Sequence, residues 1–156
     1  IFAPCGGGGL LSGTYLATKL FSNTIKVYGT EPKIANDAAQ SYAKGHIVSL
    51  SDTPQTIADG ARALSISKRT FEYIRQLDGF YQVDEHDILY WSQWLAHLLK
   101  TPVEPTSALA MAGAHQWLKE QKSPQRVLII LTGANIDPQT YREIWQDSFL
   151  EQVPAV

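Results

Sequence analysis

Ile1-Phe2-Ala3-Pro4-Cys5-Gly6-Gly7-Gly8-Gly9-Leu10-Leu11-Ser12-Gly13 opens the chain and decides how the rest is read. A short apolar run leads into four glycines, and the glycines lead into a helix-patterned stretch over residues 10–21. A glycine run between a strand and a helix frees several backbone N–H groups to point at one spot. The positive end of the helix dipole points there too, so the junction is suited to an anion, most often phosphate. The absence of Cβ atoms lets a ligand approach the backbone. The competing reading is a flexible loop.

Downstream, residues 25–30 read as a second strand closed by Glu31-Pro32, and residues 37–43 as a short helix broken at Gly45. Residues 47–50 read as a brief extended piece and 70–77 as helix. Residues 80–83 form a third strand, and Asp84 caps a helix over 85–99 with Ile88, Trp91, Leu95 and Leu98 in one stripe. Pro105 at a first-turn position starts a helix to about residue 121. Its Ala108, Ala110, Ala112, Gly113 and Ala114 allow close packing against a neighbour. The continuous apolar run 127–131 reads as a strand covered on both faces, and Asp137-Pro138 caps a last helix to about residue 150. In the first helix, Leu10, Tyr15, Leu16, Leu20 and Phe21 supply an apolar face. Strands alternating with helices predict an α/β fold, an open, mostly parallel twisted sheet with helices on both faces.

The 156 residues suffice for one domain, and 44% apolar with 18% charged residues is ordinary for a globular protein. A net charge of −2 and a pI near 6.1 leave no electrostatic footprint for nucleic acid or an acidic membrane surface. Cys5 is the single cysteine, which excludes a disulfide framework and makes a reducing, cytoplasmic setting the default expectation. No apolar run approaches the roughly 20 residues of a membrane span. The chain begins at Ile1 inside a strand, so an upstream part is expected.

Gly7, Gly9 and Gly13 fit a G-x-G-x-x-x-G variant of the dinucleotide fingerprint, with Glu31 22 residues after Gly9 where an acid would grip a ribose hydroxyl. The stricter G-x-G-x-x-G spacing fails, and Pro32 and Asp37 follow in a pattern that role does not need. A second reading gathers more of the chain. IFAPCGGGGLLSG, TEPKIANDA, TIADGA, VEPTSALA and LTGANID occur in that order. Together they resemble the C-terminal half of the fold-type II pyridoxal phosphate enzymes (tryptophan synthase β-like), within them most of all the threonine and serine dehydratases and serine racemase.

The resemblance implies a role for each motif. Gly6, Gly7, Gly8 and Gly9, with the Leu10 N–H, would cradle the phosphate of pyridoxal 5'-phosphate, and no Arg or Lys lies in that loop. Thr132 would hydrogen-bond the pyridine nitrogen; a hydroxyl does not hold that nitrogen protonated as a carboxylate would. By itself Thr132 also fits a strand-end turn. Glu31, the Ala35 carbonyl and Asp37 match a divalent-cation site for Mg²⁺, Ca²⁺ or Mn²⁺, all hard oxygen ligands. Alternatively, Asn36 or Asp37 simply caps the next helix. Gly60 would lie against one face of the ring, or is a plain turn glycine. Glu104 matches a carboxylate near the cofactor, or caps the first turn of its helix. Asn135 braces the LTGAN turn. His46, His86, His97 and His115 have no metal-like spacing, and Trp91, Trp94 and Trp117 read as core or interface.

The family's Schiff-base lysine belongs to an N-terminal S-x-K-type motif that is not in this sequence, so no catalytic residue is assigned here. Residues 1–156 would be the C-terminal portion of the large cofactor-binding domain, without its N-terminal piece and the small domain. The implied activity is a cytoplasmic, oligomeric ammonia-lyase that converts a small hydroxyamino acid to a 2-oxo acid and ammonia, the isolated piece being inactive. No nucleic acid or membrane partner is implied. A serine racemase-like enzyme, an NAD(P)-binding oxidoreductase domain and a non-catalytic binding module are the alternatives.

Overall fold

A computed structural model describes residues 1–155. In chain order the elements are β1 (Phe2–Pro4), α1 (Gly9–Phe21), β2 (Tyr28–Pro32), α2 (Asp37–Lys44), a 3-10 turn (Asp59–Ala61) and α3 (Lys68–Ile74). They continue with β3 (Gly79–Val83), α4 (Glu85–Leu99), α5 (Pro105–Lys119) and α6 (Pro138–Ile144). The strands form a parallel sheet in the order β1-β2-β3, with Ala3 opposite Gly29 and Gly29 opposite Phe80. The expected α/β class holds, with α1 to α3 on one face of the sheet and α5, backed by α4, on the other.

Each face has its own core. Toward α1, α2 and α3, Ala3, Cys5, Leu11, Ala38, Phe71 and Ile74 are buried together. Toward α5, Phe2 stacks on Tyr28 at 4.9 Å between ring centroids, and Ala110 and Ala114 press onto the pair. The small residues of α5 do what their size suggests. A Cβ on Gly113 would run into Thr30 of β2, so the helix lies close enough to exclude a side chain there. Trp91 is buried between α4 and α5, and Trp94 and Trp117 pack against the core as expected.

Two expectations need correction. The run 127–131 makes only a single parallel bridge, Phe2 to Ile129, held by Phe2 N–H to Leu128 O at 2.9 Å and Ile130 N–H to Phe2 O at 3.0 Å. It sits at the outer edge of β1 with one neighbour. Val127 and Ile129 pack on the Phe2 core and Ile130 on the opposite one, while Leu128 remains 56% exposed because nothing covers it. The apolar stripe of α1 also faces outward. Leu11, Ser12 and Thr18 are its buried residues, whereas Leu20 and Phe21 are 79% and 86% exposed. An apolar helix face records what will be covered, not which element of this chain covers it.

The chain leaving α6 is tied down by a residue outside every motif. Gln93 of α4 is fully buried; its amide donates to the Ile144 and Asp147 carbonyls and accepts from the Phe149 N–H at 3.0 Å. Gln93→Leu keeps the volume and leaves three backbone groups without partners. At about 1–3 kcal/mol for an unsatisfied buried group, partly relieved by water, a loss of about 3 kcal/mol is expected. Urea denaturation of the full-length protein measures it, and an unchanged midpoint would contradict the role.

Candidate functional site at the glycine loop

β1 runs out at Pro4, and the Cys5 N–H makes the last tie to the sheet, to Thr30 O at 2.9 Å. The chain must then turn into α1 within a few residues, and Gly8 makes the turn. It is the N-cap of α1 at φ 84°, a left-handed conformation that a side chain strains. A Cβ there would sit 2.7 Å from Ile74 Cδ1 and 3.0 Å from Thr70 Cβ. Gly6 is required for a different reason, because a Cβ on it would run into the Gly60 carbonyl: the glycine loop and the TIADG turn touch backbone to backbone. Gly7 and Gly9 have nothing within 4 Å of a built Cβ. The four glycines thus divide into two that shape the loop and two that leave space.

Ser12 is the first residue of α1 whose N–H is taken up, by Gly8 O at 2.9 Å. The N–H groups before it lie at the positive end of a 13-residue helix. From the other side, the start of α3 anchors the loop. Thr70 Oγ1 lies 3.2 Å from Gly7 O and Ser12 Oγ donates to Thr70 O at 3.2 Å. Sequence reasoning passed over Thr70. It started this helix at residue 70, whereas Ser67 and Thr70 form a reciprocal cap with bonds of 3.1 Å and start it at Lys68.

The loop forms one wall of a cleft of about 430 Å³. Gly6, Gly7, Gly8, Gly9, Leu10, Gly60, Glu104 and Thr132 all line it, so four of the five motifs converge on one space. Thr106, Ile130 and Leu131 complete its walls, and no Lys or Arg is among the lining residues. A second, more apolar cavity of about 240 Å³ between α4 and α6 contains none of the candidate residues. Gly60 donates its N–H to Thr106 Oγ1 at 3.2 Å, and a Cβ on it would meet that oxygen at 2.8 Å.

At Thr132 the side chains are wired together. Its hydroxyl lies 2.7 Å from Glu104 Oε1 and 3.0 Å from Ser107 Oγ. Ser107, fully buried in the first turn of α5, accepts from the Thr132 N–H at 2.9 Å and the Gly133 N–H at 3.2 Å. Glu104 does not cap its helix with its side chain, contrary to the simpler expectation; the carboxylate is turned to Thr132 instead. Ser107 was legible only as the Ser of VEPTS, without a role.

The fifth motif lies elsewhere. Glu31 is 1% exposed, and its carboxylate accepts from the Ala38 N–H at 3.2 Å and the Ala39 N–H at 2.9 Å at the start of α2. It does not line the cleft, so it cannot grip a ribose there, which removes the dinucleotide reading. Asp37 is also 1% exposed, and neither of its carboxylate oxygens has a hydrogen-bond partner. Burial pushes the Asp37 carboxyl up to about 6, against a weaker pull from the Asp37 and Ile66 backbone N–H groups, which lie near it without making a well-formed hydrogen bond. Burial likewise holds Glu31 well above the usual range, with the Ala39 and Ala38 N–H groups pulling the other way and the Asp37 charge adding to the rise. Cys5, buried beside them, is raised by burial and by both carboxylates. Glu31 takes the Ala39 N–H, and the buried Ala35 carbonyl lies in the same turn. Among the described residues no group of three or more His, Cys, Asp or Glu side chains is placed to hold a metal.

Comparison with known proteins identifies the family. The chain is 42% identical over 142 residues to L-threo-3-hydroxyaspartate ammonia-lyase of Saccharomyces cerevisiae, covering 90% of this chain and 43% of that protein. It is 40% identical over 142 residues to serine racemase of Schizosaccharomyces pombe, covering 90% and 43%. Threonine deaminase of T.th. superposes with a TM-score of 0.82 at 41% identity, covering 87% of this chain and 49% of that one. The chain therefore spans less than half the length of the proteins it resembles. The family model described as pyridoxal-phosphate dependent enzyme matches residues 1–133, from β1 through the Thr132 turn, and the chain belongs to that family, in its fold-type II branch.

Proposed function

We propose that this chain is the C-terminal portion of the large cofactor-binding domain of an enzyme that holds pyridoxal 5'-phosphate in the cleft at the glycine loop. The residues present fit the group. Gly6 and Gly8 shape a cradle that a Cβ would block, backbone N–H groups and a helix N-terminus meet the phosphate, and a hydroxyl stands in the same cleft for the ring nitrogen. Gly60 keeps one wall free of a side chain, and Leu10, Ile130 and Leu131 provide apolar cover. Bound there, pyridoxal phosphate supplies an electron sink that labilises the bonds at the α-carbon of an amino acid.

The reaction we assign to the whole protein is ammonia-lyase chemistry, β-elimination from a small hydroxyamino acid to a 2-oxo acid and ammonia. The observation that carries it is the neutral cradle. Backbone donors with no Lys or Arg among them hold a phosphate while leaving its proton exchangeable, which suits a reaction in which a hydroxyl departs. None of the chain's eight lysines lines the cleft, so the lysine for the cofactor comes from outside this segment. The outward apolar stripe of α1 and the open edge at Leu128 support a remainder of the domain that covers them. Near-equal identity to an ammonia-lyase and a racemase makes racemisation the second reading. Full-length protein incubated with L-threonine, L-serine and L-threo-3-hydroxyaspartate should release 2-oxo acid from at least one, dependent on cofactor. D-serine without 2-oxo acid would favour the racemase, and no product of either kind would refute the assignment.

Glu31, the Ala35 carbonyl and Asp37 we assign to a divalent cation, Mg²⁺, Ca²⁺ or Mn²⁺. The support is Asp37, a fully buried carboxylate with no partner for either oxygen beside a second buried carboxylate. With two carboxylates and a carbonyl from the protein, water would complete the coordination.

A further inference from the structure

The second cavity lies where the end of α4 meets α6 and the loop 100–103, and its apolar floor and polar rim are distinct. Val103, Ile136 and Ile144 form the floor. Tyr141 of α6 and Trp145, its C-cap, form one wall, with ring centroids 6.3 Å apart. Lys100, His97 and Thr101 stand at the rim, and no Asp or Glu lines the space. Ser92 lines it too but spends its hydroxyl on the Ile88 carbonyl at 2.7 Å. At about 240 Å³ the cavity falls below the range of about 300–1,000 Å³ for drug-sized ligands, so it suits one ring or one branched chain.

Lys100 sets the chemistry. It is the C-cap of α4 at φ 57°, and among the described residues it alone takes a left-handed backbone without being glycine. Glycine or asparagine ordinarily stands there, because a longer side chain is strained. Meeting the helix dipole does not require the strain, since a lysine one residue earlier would do so without it. The turn instead leaves the side chain on the cavity rim, and among the described residues its ammonium makes no ion pair. We propose that this cavity binds a small carboxylate with an apolar body, its charge met by Lys100 and its body held between α4 and α6. An ammonium with no competing acid favours an anion, and the floor favours one that carries hydrocarbon over inorganic phosphate. The site is separate from the cleft and independent of what the cleft holds, yet the two share a wall. Val103 precedes Glu104, which lines the cleft and gives its N–H to Gly133 O at 2.9 Å.

The test is fluorine NMR of the full-length protein labelled with 5-fluorotryptophan, the Trp145 resonance being assigned by its loss in Trp145→Phe. Benzoate is the probe, benzamide its uncharged counterpart, and inorganic phosphate the anion without a body. Benzoate should shift the Trp145 resonance saturably. Benzamide and phosphate should bind at least about tenfold more weakly, the loss expected for one charge-assisted contact or for the apolar body. Lys100→Gly suits the left-handed turn, so it should melt no lower than wild type while weakening benzoate about tenfold. No shift at millimolar benzoate overturns the proposal, and so does benzamide binding as tightly as benzoate, even if Lys100→Gly fails to fold. A folded Lys100→Gly protein that binds benzoate like wild type overturns it as well. So does a crystal structure of the full-length protein in which a side chain from the rest of the chain fills the cavity.

Discussion

Gly8→Val should abolish cofactor uptake by the full-length protein, while Gly7→Ala should fold normally and bind weakly. The two glycines are neighbours but meet different constraints. At Gly8 the backbone is left-handed, which costs a residue with a Cβ about 1–2 kcal/mol and a β-branched one more. The added carbons would also enter the space of Ile74 and Thr70, where overpacking costs about 1–3 kcal/mol. Either the domain loses about 2–5 kcal/mol or the loop shifts, and a shifted loop no longer converges its N–H groups. Gly7 has no positive φ and no atom within 4 Å of a built Cβ, so alanine costs little in folding and only narrows the space beside the cleft. Thermal denaturation without cofactor separates stability from binding, and titration with pyridoxal phosphate measures the latter. A Gly8→Val protein that binds like wild type would show that the turn does not form the cradle.

The second large effect is expected at Glu31 and Asp37. Burial raises the Asp37 carboxyl from 3.8 to about 6, so between these values the folded protein holds a proton that the unfolded chain has lost. The sign follows. Cation-free stability is fullest below 3.8 and falls as pH rises through about 6; above that the protein carries a buried, unpartnered charge. The raised Glu31 acts in the same direction. A divalent cation between the two should reverse the loss at higher pH, stabilising by about 2.7 kcal/mol at a hundredfold excess over its dissociation constant. Melting temperatures of the full-length protein across this range, in Mg²⁺ and in chelator, should diverge above about 6. Asp37→Asn should flatten the pH dependence and remove the response to metal. Identical curves with and without Mg²⁺ would leave the pair as a buried structural feature.

Much of this was legible because local rules and tertiary context agree. Pro105 opens α5 and Asp137 caps α6, its Oδ1 accepting from Gln139 and Thr140 N–H at 2.8 and 3.0 Å. Where they disagree, the sequence misleads. β2 begins at Tyr28 because the Val27 N–H goes to the Asp78 carboxylate at 2.9 Å instead of a strand. Asp84 precedes α4 as expected, yet its side chain pairs with Lys33 at 3.2 Å and makes no cap. α6 stops at Ile144, well short of residue 150, where the Gln93 amide takes over the carbonyls. Residues 47–50 form no strand; the Val48 N–H goes to Ser41 Oγ at 2.8 Å and the Leu50 N–H to Leu64 O at 2.8 Å. In the site, motifs give the residues that face a ligand. They do not give the roles of Thr106 and Ser107, which stand unremarked in VEPTSALA, nor Thr70 at all; these are ordinary hydroxyl residues whose positions matter only once distant segments meet.

If four separated segments build one pyridoxal phosphate site, the phosphate must rest on the glycine loop. A crystal structure of the full-length protein grown with pyridoxal phosphate decides this. The phosphate should lie within hydrogen-bond distance of the N–H groups of the Gly6 to Leu10 loop, with the ring nitrogen at Thr132. A cofactor bound away from this loop, or a dinucleotide in its place, would contradict the assignment.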